Sequence, residues 1–201
     1  MDRTDRGPVV VGLLLAAGGG RRLGGRPKAL LEHRGRPLVE HAVRALRDGG
    51  CARVHVVLGA AAEEVRARAD LAGCAVTVNP GWTQGMGSSL RAGLGALTGT
   101  DADAALVLLV DQPGIGPAAV ARVRTACRSP SCLVAASYDG ERGHPVLFGA
   151  DRWADVVAGA VGDRGAREYL RRHRDAITFV ECADVARLYD IDVPEDLKHL
   201  D

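Results

Sequence analysis

The apolar run at residues 9–15 ends abruptly at a glycine-rich, basic segment, Ala16-Ala17-Gly18-Gly19-Gly20-Arg21-Arg22-Leu23-Gly24-Gly25-Arg26-Pro27-Lys28. A short run with no polar alternation reads as a strand covered on both faces, which is the habit of parallel sheets. The segment after it holds five glycines and a cluster of cations. Glycine lets backbone N–H groups approach a phosphate closely. The lysine stands out because the chain has only Lys28 and Lys198 among 26 basic residues. An ammonium is a compact charge with three rotatable donors, suited to bridging phosphate oxygens. The segment therefore reads as a cradle for a nucleoside triphosphate, with Gly18, Gly19 and Gly20 lining it and Arg22 and Lys28 at its far end. A simple tight turn would not need so many glycines beside so many cations.

Two better-known glycine loops do not fit. Counted from Gly18, the sixth position of a dinucleotide fingerprint is Leu23, not glycine. A P-loop frame running from Gly20 to Gly25 meets Arg26 where it needs lysine.

The chain has 201 residues, 47% hydrophobic and 25% charged, which suits one soluble domain with a sizeable core. Aromatics are only 3%, so that core must be built from Ala, Val and Leu. A formal net charge of +1 gives no global field for nucleic acid or a membrane surface, and neither is expected as a partner. The five cysteines form no C-x-x-C pair and read as small buried residues of a reducing compartment. The polar residues 1–8 are expected to be a flexible N-terminus before a domain at 9–201. The apolar run that follows is too short for a signal peptide or a membrane span, which points to the cytoplasm.

Apolar strands and amphipathic helices alternate along the chain. Strands are expected at 9–15, 54–58, 75–78, 104–110, 133–137, 145–148 and 178–181, with a turn at 138–140. Helices are expected at 38–47, 63–69, 117–127, 151–160, 166–173 and 194–200. Ser88 or Ser89 would cap another helix reaching Leu97. The alternation predicts a three-layer α/β fold with a mostly parallel sheet. Ligands bind such sheets beyond the carboxyl ends of the strands. Residues 18–28 and Asp111 both fall there. Asp111 at a strand mouth is a hard-oxygen ligand for Mg2+, although Asp before Gln-Pro also suits a plain turn.

Leu15-Ala16-Ala17-Gly18, Arg22-Leu23-Gly24 and Pro27-Lys28 resemble the glycine loop of MobA-like nucleotidyltransferases, nearest the molybdenum cofactor cytidylyltransferases. Further resemblances follow in order: Asn79-Pro80-Gly81-Trp82, Gly85-Met86-Gly87-Ser88-Ser89-Leu90, Asp111-Gln112-Pro113, Gly143-His144-Pro145, Gly162-Asp163-Arg164-Gly165-Ala166-Arg167 and Asp190-Ile191-Asp192-Val193-Pro194-Glu195-Asp196-Leu197. Two departures stand out. Gly24 and Lys28 are four steps apart where many relatives have three. Gly20 occupies a position where many have serine.

The resemblance implies a Rossmann-like nucleotidyltransferase fold. It implies nucleotide contacts at Leu15, Ala16, Ala17, Gly18, Gly19, Gly20, Arg22, Lys28, Asn79, Gly85, Ser88 and Ser89, with Arg22, Lys28 and Asp111 catalytic. Asp192 becomes the second Mg2+ ligand beside Asp111; its plainer reading is an N-cap on the helix at Pro194. His144, Arg164 and Arg167 face the acceptor, although the two arginines also suit a solvated basic helix face. The spelling Ala16-Ala17-Gly18 favours CTP over GTP, and the implied acceptor is molybdenum cofactor or another phosphate, with a molybdenum hydroxylase as a possible partner. Two other readings stay open. Some MobA-like proteins, resembling nicotine blue oxidoreductase, use NAD(P)H on a heterocycle, although a reductase would not need Lys28 and both aspartates. A non-catalytic molybdenum-cofactor chaperone is the other.

Overall fold

A computed structural model describes residues 7–200. The flexible segment expected at 1–8 lies almost wholly outside them. The strands are β1 (Val10–Ala16), β2 (Glu32–His33), β3 (Arg36–Pro37), β4 (Arg53–Leu58), β5 (Ala75–Val78), β6 (Ala104–Leu109), β7 (Leu133–Tyr138), β8 (Glu141–Gly149) and β9 (Thr178–Glu181). The helices are α1 (Leu38–Asp48), α2 (Ala62–Arg68), α3 (Met86–Leu97), α4 (Pro117–Thr125), α5 (Trp153–Gly159) and α6 (Arg167–Arg172).

One seven-stranded sheet runs β5-β4-β1-β6-β8-β7-β9, and β2 and β3 form a separate small hairpin. Only β8 opposes the rest, pairing antiparallel with both β6 and β7. This is the expected three-layer α/β fold with a mostly parallel sheet. In β1, Val10, Leu14 and Ala16 pack with the buried faces of α1, α2 and α4, while Val11, Leu13 and Leu15 pack with α3, α5 and α6. Both faces are covered, which is why β1 and β6 are apolar throughout. Gly12 on β1 is where α1 comes closest: a Cβ there would stand 3.0 Å from Leu46.

Several boundaries differ from the sequence expectation, each for a local reason. β8 begins at Glu141, well before 145; the polar Glu141, Arg142 and His144 hide its start in the sequence, and the latter two line a cleft. The turn before it uses Asp139 at φ 53° and Gly140 at φ 86°, the left-handed pair that a two-residue hairpin needs. α3 begins at Met86 with Gly85 at its N-cap, so neither serine caps it. The segment Pro194–His199 is a 3-10 turn, not an α-helix.

Candidate active site

The glycine loop leaves the carboxyl end of β1 and folds back through left-handed residues. Gly20, Gly24 and Gly25 have φ of 59°, 71° and 77°. Between them Arg21–Leu23 makes one 3-10 turn that buries Leu23 as a plug. The Gly20 carbonyl accepts the N–H groups of Leu23 at 2.8 Å and Gly25 at 3.0 Å. Despite the longer step between Gly24 and Lys28, the lysine reaches inward. Lys28 Nζ donates to Asp111 Oδ2 at 2.6 Å and also to Asp192 Oδ1. Its side chain is 13% exposed.

The three groups come from distant parts of the chain. Asp111 follows β6, and its carbonyl accepts the Ile191 N–H at 2.9 Å, which locks the late aspartate segment to the strand mouth. Asp192 does not cap the turn that follows it. Asp196 does so, accepting the N–H groups of Asp192 at 2.8 Å and Val193 at 2.9 Å. The Asp192 carboxylate is left to face Lys28.

Burial pushes the Asp111 carboxyl above the usual carboxylate range; Lys28 pulls it down, and the charges of Asp190 and Asp192 push it further up. Burial works against the charge on Lys28, but Asp111 and Asp192 outweigh it and hold the ammonium above its ordinary value. Gln112 is buried, and its Nε2 donates to Asp190 Oδ1 at 2.8 Å. Its Oε1 is buried with no partner among the described residues.

The carboxylates of Asp111 and Asp192 form a hard-oxygen donor set, with Asp190 beside them in the same cleft. Among the described residues, no group of three acidic, histidine or cysteine side chains forms a ready-made metal cage. A small divalent cation can be held by one or two carboxylates, with phosphate and water completing its shell. The residues present fit such an ion.

The cleft has a volume of about 590 Å³. It collects Leu15, Ala17, Gly18, Gly19, Gly20, Arg22, Lys28, Gly85, Ser89, Asp111 and Asp192, and on its other side His144, Arg164 and Arg167. Three expected contacts are not on its wall: Ala16, Asn79 and Ser88. Ala16 is buried in the core. Asn79 Nδ2 donates to Ser88 Oγ at 2.8 Å and Ser89 Oγ at 3.1 Å, and Ser88 Oγ donates to the carbonyls of Gly85 and Gly81. These buried groups brace the turn before α3. Gly85, at φ 99°, touches the far loop: a Cβ there would stand 2.4 Å from Asp163 Oδ1.

His144 sits on β8, and Tyr138 Oη donates to its carbonyl at 2.6 Å. Burial, then the charges of Arg142 and Arg167, bring its imidazole down to about 4, so it is neutral near pH 7. Arg142, Trp82 and Asp190 also line the cleft, and the sequence reading assigned none of them to the site. Trp82 packs against Gly19 and Gly59, where a Cβ would meet it at 2.9 and 2.5 Å. For Asp190 a signal existed: it lies two positions from Asp192 across the fully buried Ile191, a spacing that puts both on one side of an extended chain.

A glycine loop, a lysine and paired carboxylates at the carboxyl ends of parallel strands define a nucleotidyltransferase-type α/β protein. The chain belongs to the family of the MobA-like NTP transferase domain, whose model matches residues 12–177. It is 41% identical over 200 residues to nicotine blue oxidoreductase of Paenarthrobacter nicotinovorans, covering 96% of this chain and 97% of that protein. It is 28% identical over 192 residues to the molybdenum cofactor guanylyltransferase of Shewanella amazonensis, covering 94% and 93%. Among solved structures, Rv0371c of Mycobacterium tuberculosis superposes with a TM-score of 0.82 at 27% identity, covering 97% of this chain and 98% of that one. A manganese complex of Rv0371c matches with a TM-score of 0.76 at 25% identity, covering 95% and 97%. No helix among the described residues is long and apolar enough to cross a membrane.

Proposed function

We propose that this chain transfers a nucleoside monophosphate from a triphosphate, CTP in preference to GTP, to the phosphate of an acceptor, with molybdenum cofactor as the best acceptor by family. The observation that carries this reading is the meeting of Lys28, Asp111 and Asp192 at the glycine-loop end of one cleft. A molybdenum hydroxylase is the natural recipient of such a product.

An acceptor phosphate is already an anion near neutral pH, so it needs no general base. Its oxygen attacks the α-phosphorus, the α–β bridging bond breaks, and pyrophosphate leaves. The protein's share is alignment and charge neutralisation. Arg22 and Lys28 hold the triphosphate and offset charge growing on the leaving group. Asp111 and Asp192 would hold a magnesium ion, which when bound draws negative charge from phosphate oxygens. Neutral His144 offers a hydrogen bond to the acceptor without adding charge, and Arg164 and Arg167 attract its anionic groups.

A second reading has an observation of its own: the 41% identity along nearly the whole length of nicotine blue oxidoreductase. In it the cleft would hold NAD(P)H and a heteroaromatic substrate. One experiment separates the readings. Pyrophosphate release is screened with four triphosphates against phosphate acceptors, and NADPH absorbance is followed with heteroaromatic substrates without added metal. Metal-dependent pyrophosphate release supports the transferase. NADPH consumption without it supports the reductase. Cofactor binding with neither supports the chaperone.

A further inference from the structure

We propose that Cys127 and Cys132 form a redox-active dithiol, in which Cys132 takes oxidising equivalents from a hydroperoxide and Cys127 resolves the product to an intramolecular disulfide. The sequence reading treated all five cysteines as packing residues. The fold singles out two of them. They lie on the connection between α4 and β7, with their sulfurs 3.0 Å apart. The connection is pinned on both sides of the pair. The Cys127 N–H donates to the Arg124 carbonyl at 3.1 Å, the Cys132 N–H to Ser129 at 3.1 Å, and the Gly149 N–H to the Cys132 carbonyl at 2.9 Å. Arg152 Nε donates to the Ser131 carbonyl at 2.6 Å.

The two thiols are not equivalent. Cys127 is buried, while Cys132 is partly open to solvent. The hydrogen bond between the two sulfurs brings the Cys132 thiol down to about 7 against the opposing effect of burial; backbone donors and Arg152 add to this. The same bond, with burial, holds Cys127 protonated. A partly exposed thiolate beside a protonated thiol divides the work between attacker and resolver. The other thiols lack this setting. Cys51 is buried and pushed up to about 12, and burial also raises Cys74 and Cys182.

The chemistry balances with a hydroperoxide as the oxidant. The Cys132 thiolate attacks the peroxide oxygen, the O–O bond breaks, and the departing oxygen takes a proton. Cys132 is then a sulfenic acid. The Cys127 sulfur attacks it, the S–O bond breaks, and water leaves with the Cys127 proton. The protein has lost two hydrogen atoms and the peroxide has gained two electrons. The pair lies at the amino end of β7, whereas the cleft opens at the carboxyl ends of β1 and β6, so this site is independent of the transferase reading.

The test uses the full chain with equimolar hydrogen peroxide, then alkylation and tryptic mapping. Trypsin cuts after Arg128, between the two cysteines, so the disulfide reads as peptide 125–128 linked to peptide 129–142. We expect that linked pair, reversed by a dithiol reductant. In Cys127→Ser, dimedone should label Cys132. In Cys132→Ser, peroxide uptake should fall about tenfold or more. Linkage through other cysteines, undiminished alkylation of both thiols, or a Cys132→Ser variant that reacts like the parent would overturn the assignment.

Discussion

Lys28 Nζ lies 2.6 Å from Asp111 Oδ2, across 83 residues of sequence, and bonds Asp192 Oδ1 with another of its hydrogens. One ammonium thus neutralises part of a nest of carboxylates that would otherwise repel one another, and its stem passes Gly18, where a Cβ would stand 4.0 Å from Lys28 Cδ. Lys28→Ala should cut pyrophosphate release about 100-fold or more. It should cost about 1–3 kcal/mol of stability, the usual penalty for an unpaired charge discounted for the half-exposed Asp192. Circular dichroism and a thermal melt check the fold. Unchanged pyrophosphate release in a folded variant would show that the loop does not hold the triphosphate.

Asp111 gives a prediction of opposite character. Its carboxyl titrates above the ordinary value of 3.8 in the folded protein, with burial as the first cause. Its ionised form is therefore a cost to the native state once the pH exceeds the unfolded value, and that cost fades as the pH falls through the folded one. Asp111→Asn removes the cost and also the bond to Lys28, so the two changes offset. Thermal stability near neutral pH should stay within about 1 kcal/mol of the parent while turnover falls about 1000-fold. Parallel losses in both would assign Asp111 a structural role.

His144 makes the molecule sensitive to mild acid. In the unfolded chain its imidazole takes a proton near the ordinary value of 6.5, but in the fold it does so only near about 4. A depressed histidine binds fewer protons in the native state, so stability is intact above the unfolded value and drains away as the pH drops through this window. His144→Asn should remove at most about 3 kcal/mol of that drain. Between about pH 7 and about pH 4 the denaturant midpoint should fall further for the parent than for the variant. Parallel curves would mean that the ring is solvated.

Gly20 explains why this loop can lack the serine that many relatives carry. Its φ is 59°, and a Cβ there would stand 1.9 Å from the Arg26 carbonyl oxygen. Gly20→Ser would therefore have to reshape the loop, at more than the roughly 1–2 kcal/mol of left-handed backbone strain alone. It should weaken triphosphate binding about tenfold or more. Titration of the nucleotide by calorimetry checks this; parent-like affinity would show that the loop rebuilds without loss.

The sequence was most readable where burial is two-sided. β1 and β6 show themselves because helices cover both faces, so every residue is apolar. β8 was read only from 145 because Arg142 and His144 face the cleft, and their polarity hides the strand. The β2–β3 hairpin has too few residues to show any alternation. The cleft's cations and carboxylates were legible as motifs, but Asp190 needed the extended geometry around Ile191 to be seen. The Cys127–Cys132 contact carries no familiar spacing and arises only because the α4–β7 connection folds back on itself.

Asn79 tests the difference between touching a ligand and holding a loop. Its side chain joins Ser88 and Ser89, and its Oδ1 accepts the Gly81 N–H at 2.9 Å, so one buried amide fixes the turn between β5 and α3. The cleft wall omits Asn79 and Ser88 but includes Gly85 and Ser89 beside them. Asn79→Ala strips the two hydroxyls of a donor and should destabilise the fold by about 2 kcal/mol. The effect on function should be indirect: KM for the triphosphate rises as Gly85 loses its support, while kcat changes less than about threefold. Ser89→Ala, which removes a hydroxyl from the wall itself, should raise KM with a smaller loss of stability. If Asn79→Ala instead collapsed kcat in a protein that melts like the parent, its amide would have to reach the nucleotide directly.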